Sequence, residues 1–307
     1  MSAPSPIDIR NSSFILLGPT AVGKSELAVE LAERCEGEIV GADAFQVYQG
    51  LELLTAKPDA ALLARVPHHL IGEVPLSERW DVAQWLAAAR QRITTIHERG
   101  RVAIIVGGTG LYVRALTRGL AELPAASAKL RAELAATPLA DLARRLAVLD
   151  PQCAGQIDVR NPRRVVRALE VCLLTGGPYS QHLEQWEKPV LGWRGVILTR
   201  DRAELYQRID QRTEAMFAAG VIEEVRVLGD VGPTASQTLG LREIRAHLDG
   251  RMSREECVAA IQQATRRYAK RQLTWFRRET AFRTVNLSHV SDVDTLVDEF
   301  ARETRAG

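Results

Sequence analysis

Two short stretches of this chain carry side chains with an evident chemical use. Gly18-Pro19-Thr20-Ala21-Val22-Gly23-Lys24-Ser25 satisfies the pattern GxxxxGK[ST] in full. Glycines let such a loop curl until its N–H groups converge on phosphate oxygens, and the helix that follows aims its positive end at the same point. Gly18, Thr20, Ala21, Val22 and Gly23 would then line an anion, Lys24 would pair with a terminal phosphate, and Ser25 would hold Mg2+. The second stretch centres on Asp43, just past the second apolar segment. In an open parallel sheet, residues past strand C-ends line the ligand crevice. Position alone also suits a solvated loop aspartate.

A phosphate loop of this kind usually binds ATP or GTP, with an Asp at the end of a neighbouring strand helping to hold the metal. Here the best neighbouring strand, Val102–Val106 (VAIIV), runs into Gly107-Gly108-Thr109-Gly110 without a carboxylate. That weakens an NTPase reading. A glycine- and threonine-built helix start would suit close approach of the backbone to another anionic ligand.

Basic side chains gather in two places. Ala264 to Arg283 holds seven basic residues and one acid, and Arg160 to Arg167 holds four arginines and no acid, although the whole chain is only +2. Local patches weigh more than the total for nucleic-acid binding. On a helix, Arg266, Lys270 and Arg277 fall within about 40° of each other. Arg267, Arg271 and Arg278 form an adjacent stripe, and all six cover an arc of about 140°. Tyr268, Ala269, Trp275 and Phe276 point the other way. One broad basic face with an apolar back fits phosphate-backbone contact, and it also fits an ordinary solvated face. Arg208 and Arg212 lie four apart on another helical face.

The elements that must position these groups are legible from periodicity. Strand, glycine loop and helix alternate through the first part, which predicts an α/β fold: a parallel sheet of the P-loop type flanked by helices. VAIIV is the unbroken apolar run of a strand buried on both faces. Past Leu123 the pattern turns helical and is broken by prolines. The expected organisation is a core in residues 1–122, a mainly helical insertion in 123–190, and core completion in 191–307 with a long helix from about Arg254 to Arg278. The start, MSAPSPIDIRNSS, reads as a frayed end and lacks the makings of a signal peptide. No apolar run approaches a membrane span. Cys35, Cys153, Cys172 and Cys257 form no CxxC pair, which argues against a zinc module and a disulfide framework. His68 and His69 have no metal-ligand partner at a useful spacing and would brace the site or a loop. The chain is 46% hydrophobic and 25% charged, ordinary for a soluble globular protein, and its cysteines read as buried reduced thiols of a cytoplasmic protein.

Six stretches, in order, resemble the bacterial tRNA dimethylallyltransferase (tRNA isopentenyltransferase) family: GPTAVGKS (18–25), DAFQVYQGLELLTAKP (43–58), PHHLIG (67–72), VGGTGLYVRAL (106–116), NPRRVVRALEV (161–171) and ATRRYAKRQLTWFRR (264–278). The resemblance implies that the loop binds the diphosphate of dimethylallyl diphosphate rather than ATP, in keeping with the missing second acid. It implies transfer of the dimethylallyl group to the exocyclic N6 amine of adenosine 37, next to the tRNA anticodon, after the base is flipped out. Asp43 matches the catalytic aspartate that takes the amine proton. Thr20 matches a threonine at the breaking bond, and either Arg208 or Arg212 matches a diphosphate-binding arginine. Gln46 matches a residue reading the base edge with donor and acceptor together. Ala44, Phe45, Thr109, Arg163, Arg164 and Arg167 fall on tRNA-contacting stretches, as do Arg266, Arg267, Lys270 and Arg271, and more loosely Arg131. Ala44 replaces the family's usual Ser, Leu54 its usual glycine, and LGLREI (239–244) a GYKE-like stretch. The partners implied are tRNA, dimethylallyl diphosphate and Mg2+, with no membrane and a monomeric protein. A small-molecule P-loop kinase and an isopentenyltransferase acting on free adenine nucleotides are the competing readings.

Overall fold

The computed structural model describes residues 13–121, 123–125, 127–187 and 192–305. The frayed start expected over residues 1–13 lies outside them except for Ser13, which opens the first strand. The expected boundary at 190–191 lies outside as well.

Six strands form one parallel sheet: β1 (Ser13–Leu17), β2 (Gly37–Ala42), β3 (His68–His69), β4 (Val102–Gly107), β5 (Arg194–Thr199) and β6 (Arg283–Asn286). Their spatial order is β3-β2-β4-β1-β5-β6. Helices α1 (Lys24–Cys35), α2 (Ala60–Arg65), α3 (Val82–Glu98) and α4 (Gly110–Arg118) accompany the first four strands. Then come α5 (Ala128–Ala135), α6 (Leu139–Leu149), α7 (Pro151–Gln156) and α8 (Pro162–Thr175). Helices α9 (Arg202–Ala218), α10 (Val221–Arg226), α11 (Leu241–Leu248), α12 (Arg254–Phe276) and α13 (Val293–Arg305) complete the chain. Two compact units result, one of residues up to 117 together with those from 190, the other of 118–189.

In the first unit the central strands are apolar because both faces are covered. Phe14 to Leu17 and Ala103 to Ile105 have no exposed surface. One face of α1 (Leu27, Leu31, Cys35) and of α13 (Val297, Phe300) joins Phe14, Leu16 and Ile104 in one core. A second core gathers Val47, Leu51 and Leu54 with residues of α9 to α12. Parallel strands place all their C-terminal ends at one edge. The phosphate loop after β1, Asp43 after β2, Gly108-Thr109 after β4 and Arg200 after β5 therefore lie along the same side of the sheet. Helix α12 is started by a capping box, Ser253 with Glu256.

His69 Nε2 lies 2.7 Å from the buried Glu38, which Arg99 and Arg101 also hold. The histidine pair thus braces the β3–β2 edge of the sheet, at the end of β2 away from Asp43. Helices α2, α7 and α11 were not anticipated from periodicity, being six to eight residues long.

In the 118–189 unit, Leu134, Leu142, Leu146, Val165 and Leu169 form the core. Glu170 is buried within it, and Arg131, Arg167 and the Ser127 N–H all bond to its carboxylate. A buried carboxylate demands such neutralisation. Arg131 and Arg167, expected to meet tRNA, are thus committed to an internal ion pair, while Arg163 and Arg164 are exposed on the first turn of α8.

Candidate active site

The loop joining β1 to α1 has the shape its sequence demands. Gly23 sits at φ 101° as N-cap of α1, a conformation that costs glycine little, and it offers no capping side chain. The first N–H groups of α1 are left for another acceptor, the condition for an anion site. Ala21 adopts φ 66°, a strained value of the kind concentrated at functional loops. Lys24 Nζ donates to the carbonyls of Gly18 and Pro19 at 3.0 and 2.8 Å. Ser25 sits on the first turn of α1, and among the described residues its hydroxyl has no hydrogen-bond partner.

Three arginines close on this loop from β5 and α9. Arg200 Nε donates to the Val22 carbonyl at 2.9 Å, and Arg208 Nε to that of Ala21 at 2.8 Å. Arg212 Nη2 donates to the Thr20 hydroxyl at 2.7 Å, and its buried Nε has no hydrogen-bond partner among the described residues. Arg200 is paired with Glu204, but no described carboxylate forms an ion pair with Arg208, Arg212 or Lys24. Burial pushes the Lys24 ammonium down to about 8; the charge of Asp43 opposes that fall and Arg212 adds to it. Burial likewise holds the Arg212 guanidinium below its ordinary range, against the pull of Asp43. The site is electropositive and lacks enough internal anions to balance it.

Asp43 completes an Asx turn: Oδ1 accepts from the N–H of Phe45 at 2.9 Å and of Gln46 at 3.4 Å. That leaves Oδ2 as the oxygen for chemistry. Thr109 buttresses the turn, its Oγ1 accepting from Ala44 N–H at 3.0 Å and its hydroxyl bonding to Tyr268. Burial, and then the charge of Asp43, push the Tyr268 phenol up, so it stays neutral. A cleft of about 60 Å³ is lined by the polar Thr20, Asp43, Arg212 and Tyr268, by three further threonines (Thr55, Thr238, Thr265), and by the apolar Phe45, Leu54 and Leu239.

Several expected residues take other parts. Both amide hydrogens of Gln46 are spent on the carbonyls of Thr55 and Ala56, at 3.1 and 2.9 Å. It therefore offers a base edge only the acceptor Oε1, not donor and acceptor together. Glu224 in turn holds Leu53 and Leu54 N–H, fixing the same loop. The glycines after β4 serve helix packing rather than an anion. A Cβ on Gly108 would meet Gln272 at 2.2 Å, and one on Gly110 would meet Trp275 at 2.1 Å. On α12, Ala269, Gln272 and Phe276 are buried, while Arg267, Lys270 and Arg271, and Arg277 and Arg278 just past its end, are exposed. Arg266 leaves that exposed set. It forms a two-pronged ion pair with Asp210, 3.1 Å through Nε, and lies over the Tyr206 ring. Lys270 and Arg277 border a separate groove of about 400 Å³ with Arg202 and Tyr206.

Sequence reasoning missed Arg200, Gln272 and Tyr268. Arg200 had a signal, a cation just past a strand that pairs with β1. Gln272 and Tyr268 had none beyond lying on the apolar back of the basic helix.

A family model described as IPP transferase matches residues 46–279. The chain is 42% identical over 291 residues to a tRNA dimethylallyltransferase of Akkermansia muciniphila, covering 95% of this chain and 99% of that protein. It is 43% identical over 299 residues to the tRNA dimethylallyltransferase of Geobacter sulfurreducens, covering 93% and 96%. Its structure is similar to that of a tRNA isopentenylpyrophosphate transferase from Bacillus halodurans, with a TM-score of 0.70 and 37% identity over 96% of both chains. It is also similar to a eukaryotic dimethylallyltransferase acting on tRNA, with a TM-score of 0.79 and 26% identity over 94% of this chain and 77% of that one.

Proposed function

Because the chain belongs to the IPP transferase family, we infer that it prenylates tRNA: it moves a dimethylallyl group from dimethylallyl diphosphate to N6 of adenosine 37 and releases diphosphate. The observation that carries this reading is a set of cations, Lys24, Arg208 and Arg212, that converge on the 18–25 loop with no ion-pair partner among the described residues, Arg212 lining one narrow cleft with Asp43. A diphosphate head group supplies the negative charge that the fold leaves out.

The diphosphate lies in the loop with its allylic chain in the cleft that Phe45, Leu54 and Leu239 help to line. As the allylic C–O bond breaks, positive charge spreads over the allyl group and negative charge gathers on the departing oxygen. Lys24 and Arg212 stabilise that oxygen, and Thr20 holds it at the edge of the loop. The N6 lone pair forms the C–N bond, and Asp43 Oδ2 takes the amine proton. Tyr268, neutral beside Asp43, walls off water. The residues present fit a Mg2+ ion carried in on the diphosphate: the Ser25 hydroxyl would be its protein ligand, since this cation usually keeps waters and takes few protein oxygens. It would supply further charge neutralisation at the leaving group. Exposed Arg267 and Arg271, with Arg163 and Arg164, meet the tRNA backbone.

The test is to incubate the protein with labelled dimethylallyl diphosphate and either unmodified tRNA or AMP. Label in tRNA alone supports this reading. Label in AMP, or phosphate release from ATP with a small acceptor, sinks it.

Lys24 gives the donor site a pH signature. The bound diphosphate anion raises the pKa of the ammonium beside it, so binding is tightest while Lys24 is protonated. Affinity for dimethylallyl diphosphate should be flat below pH 8 and weaken as pH rises through about 8, by up to about tenfold per pH unit for one proton. The last ionisation of a phosphate group lies below this window. Titration calorimetry at pH 8.5 in buffers of different ionisation enthalpy should register proton uptake. Equal affinity at pH 7 and 9 would remove Lys24 from the cradle.

Replacing Arg267 and Arg271 together by Ala should weaken tRNA binding and make the slope of log Kd against log salt shallower by about 1 to 2. An unchanged slope clears α12 of phosphate contact.

A further inference from the structure

Gln272 is 5% exposed on the inner side of α12, and both ends of its amide are engaged. Oε1 accepts from the Thr20 N–H at 2.9 Å, and Nε2 donates to the Gly108 carbonyl at 2.9 Å. One side chain thus staples the phosphate loop to the turn after β4. Gly108 and Gly110 are small so that Gln272 and Trp275 can lie directly on that backbone. Thr20 is consequently held from two directions, its N–H by Gln272 and its hydroxyl by Arg212.

We propose that Gln272 is a positioning residue for the transfer: it fixes Thr20, and with it the edge of the cradle that shares a cleft with Asp43, from the helix whose opposite side carries Arg267 and Arg271. The inference rests on the diphosphate reading above. Thr20 sits 252 residues from Gln272 in the chain, so its alignment depends on how α12 is seated, and the donor and RNA sites share one rigid element. A residue that merely filled space here would need volume but neither hydrogen bond. A residue that positions Thr20 needs the acceptor above all.

Two variants of the full chain separate these roles. Gln272→Met keeps the length and volume of the side chain but can accept nothing useful from Thr20. Gln272→Glu keeps an acceptor for the Thr20 N–H, replaces the donor to the Gly108 carbonyl by a second acceptor, and adds negative charge beside the cradle. Steady-state transfer from dimethylallyl diphosphate to unmodified tRNA is measured with tRNA Kd and thermal unfolding. The Met variant should lose about 10- to 100-fold in kcat, the scale of a small misplacement of a reacting group, with tRNA Kd unchanged. The Glu variant should keep most of kcat and raise KM for the diphosphate by about tenfold through charge repulsion.

A Met variant with wild-type kcat overturns the proposal. So does a Glu variant whose kcat falls as far as that of the Met variant, or a loss of kcat in both that tracks loss of tRNA affinity or stability. If the Met variant does not fold, the kcat-against-KM split of the Glu variant decides the matter alone. Wild-type protein that fails to label tRNA would instead overturn the diphosphate reading beneath it.

Discussion

Asp43→Asn is expected to lower kcat for prenyl transfer by about 10²- to 10⁴-fold, the usual contribution of a positioned general base, with tRNA affinity nearly unchanged. Asparagine is the informative replacement because the Asx turn needs only Oδ1. That oxygen accepts from Phe45 and Gln46 N–H, and an amide oxygen does this as well as a carboxylate. The turn and its Thr109 buttress should survive, so the loss isolates proton transfer from the amine. The substitution also removes a negative charge that raises the pKa of Lys24. The pH at which diphosphate affinity begins to fall should therefore move below about 8 in the variant. Single-turnover rates with a tRNA binding curve read the first effect, and calorimetry across pH reads the second. Normal turnover by the variant would refute the role given to Asp43.

Arg212→Met should cut kcat by about 10²- to 10³-fold, as expected for one preorganised donor to a developing anion, and at the same time leave thermal stability equal or higher. The two effects have one cause. Arg212 is a cation in a buried setting whose Nε is unpartnered and whose ammonium and guanidinium neighbours, Lys24 and Arg208, repel it. The free protein bears this desolvation without a matching anion, and the donor relieves it on binding. A flexible apolar side chain of similar reach removes the burden and the function together. Lysine should not rescue, since a point charge cannot hold the Thr20 hydroxyl and also face the leaving group. Arg208 bonds a loop carbonyl and does not line the cleft with Asp43, so Arg208→Met should act more mildly, mainly on KM. If the two variants differ in this way, Arg212 is the arginine beside the breaking bond. A melting temperature several degrees lower for Arg212→Met, with kcat intact, would reverse that assignment.

What could be read from the sequence was whatever announces itself locally. The phosphate loop did so because its glycines and lysine are consecutive. β4 did so because burial on both faces leaves no polar residue in VAIIV. The basic face of α12 followed from helical arithmetic, and Ala269 and Phe276 lie buried as that arithmetic requires. What the sequence does not announce depends on partners distant in the chain. Arg266 pairs with Asp210, and Arg131 and Arg167 with Glu170. The amide hydrogens of Gln46 go to the carbonyls of Thr55 and Ala56. No local signal tells that a glutamine and a tryptophan 164 and 165 residues further on press against Gly108 and Gly110.

The four cysteines are all free and all buried, Cys35 and Cys257 in the first unit and Cys153 and Cys172 in the second. Each compact unit therefore contains its own pair of concealed thiols, and burial raises the pKa of Cys153, Cys172 and Cys257. Alkylating reagents should find the native protein almost inert. Mass spectrometry of slow labelling would then time the opening of each half separately, with no engineered probe, and would tell whether RNA or the prenyl donor quiets one half more than the other.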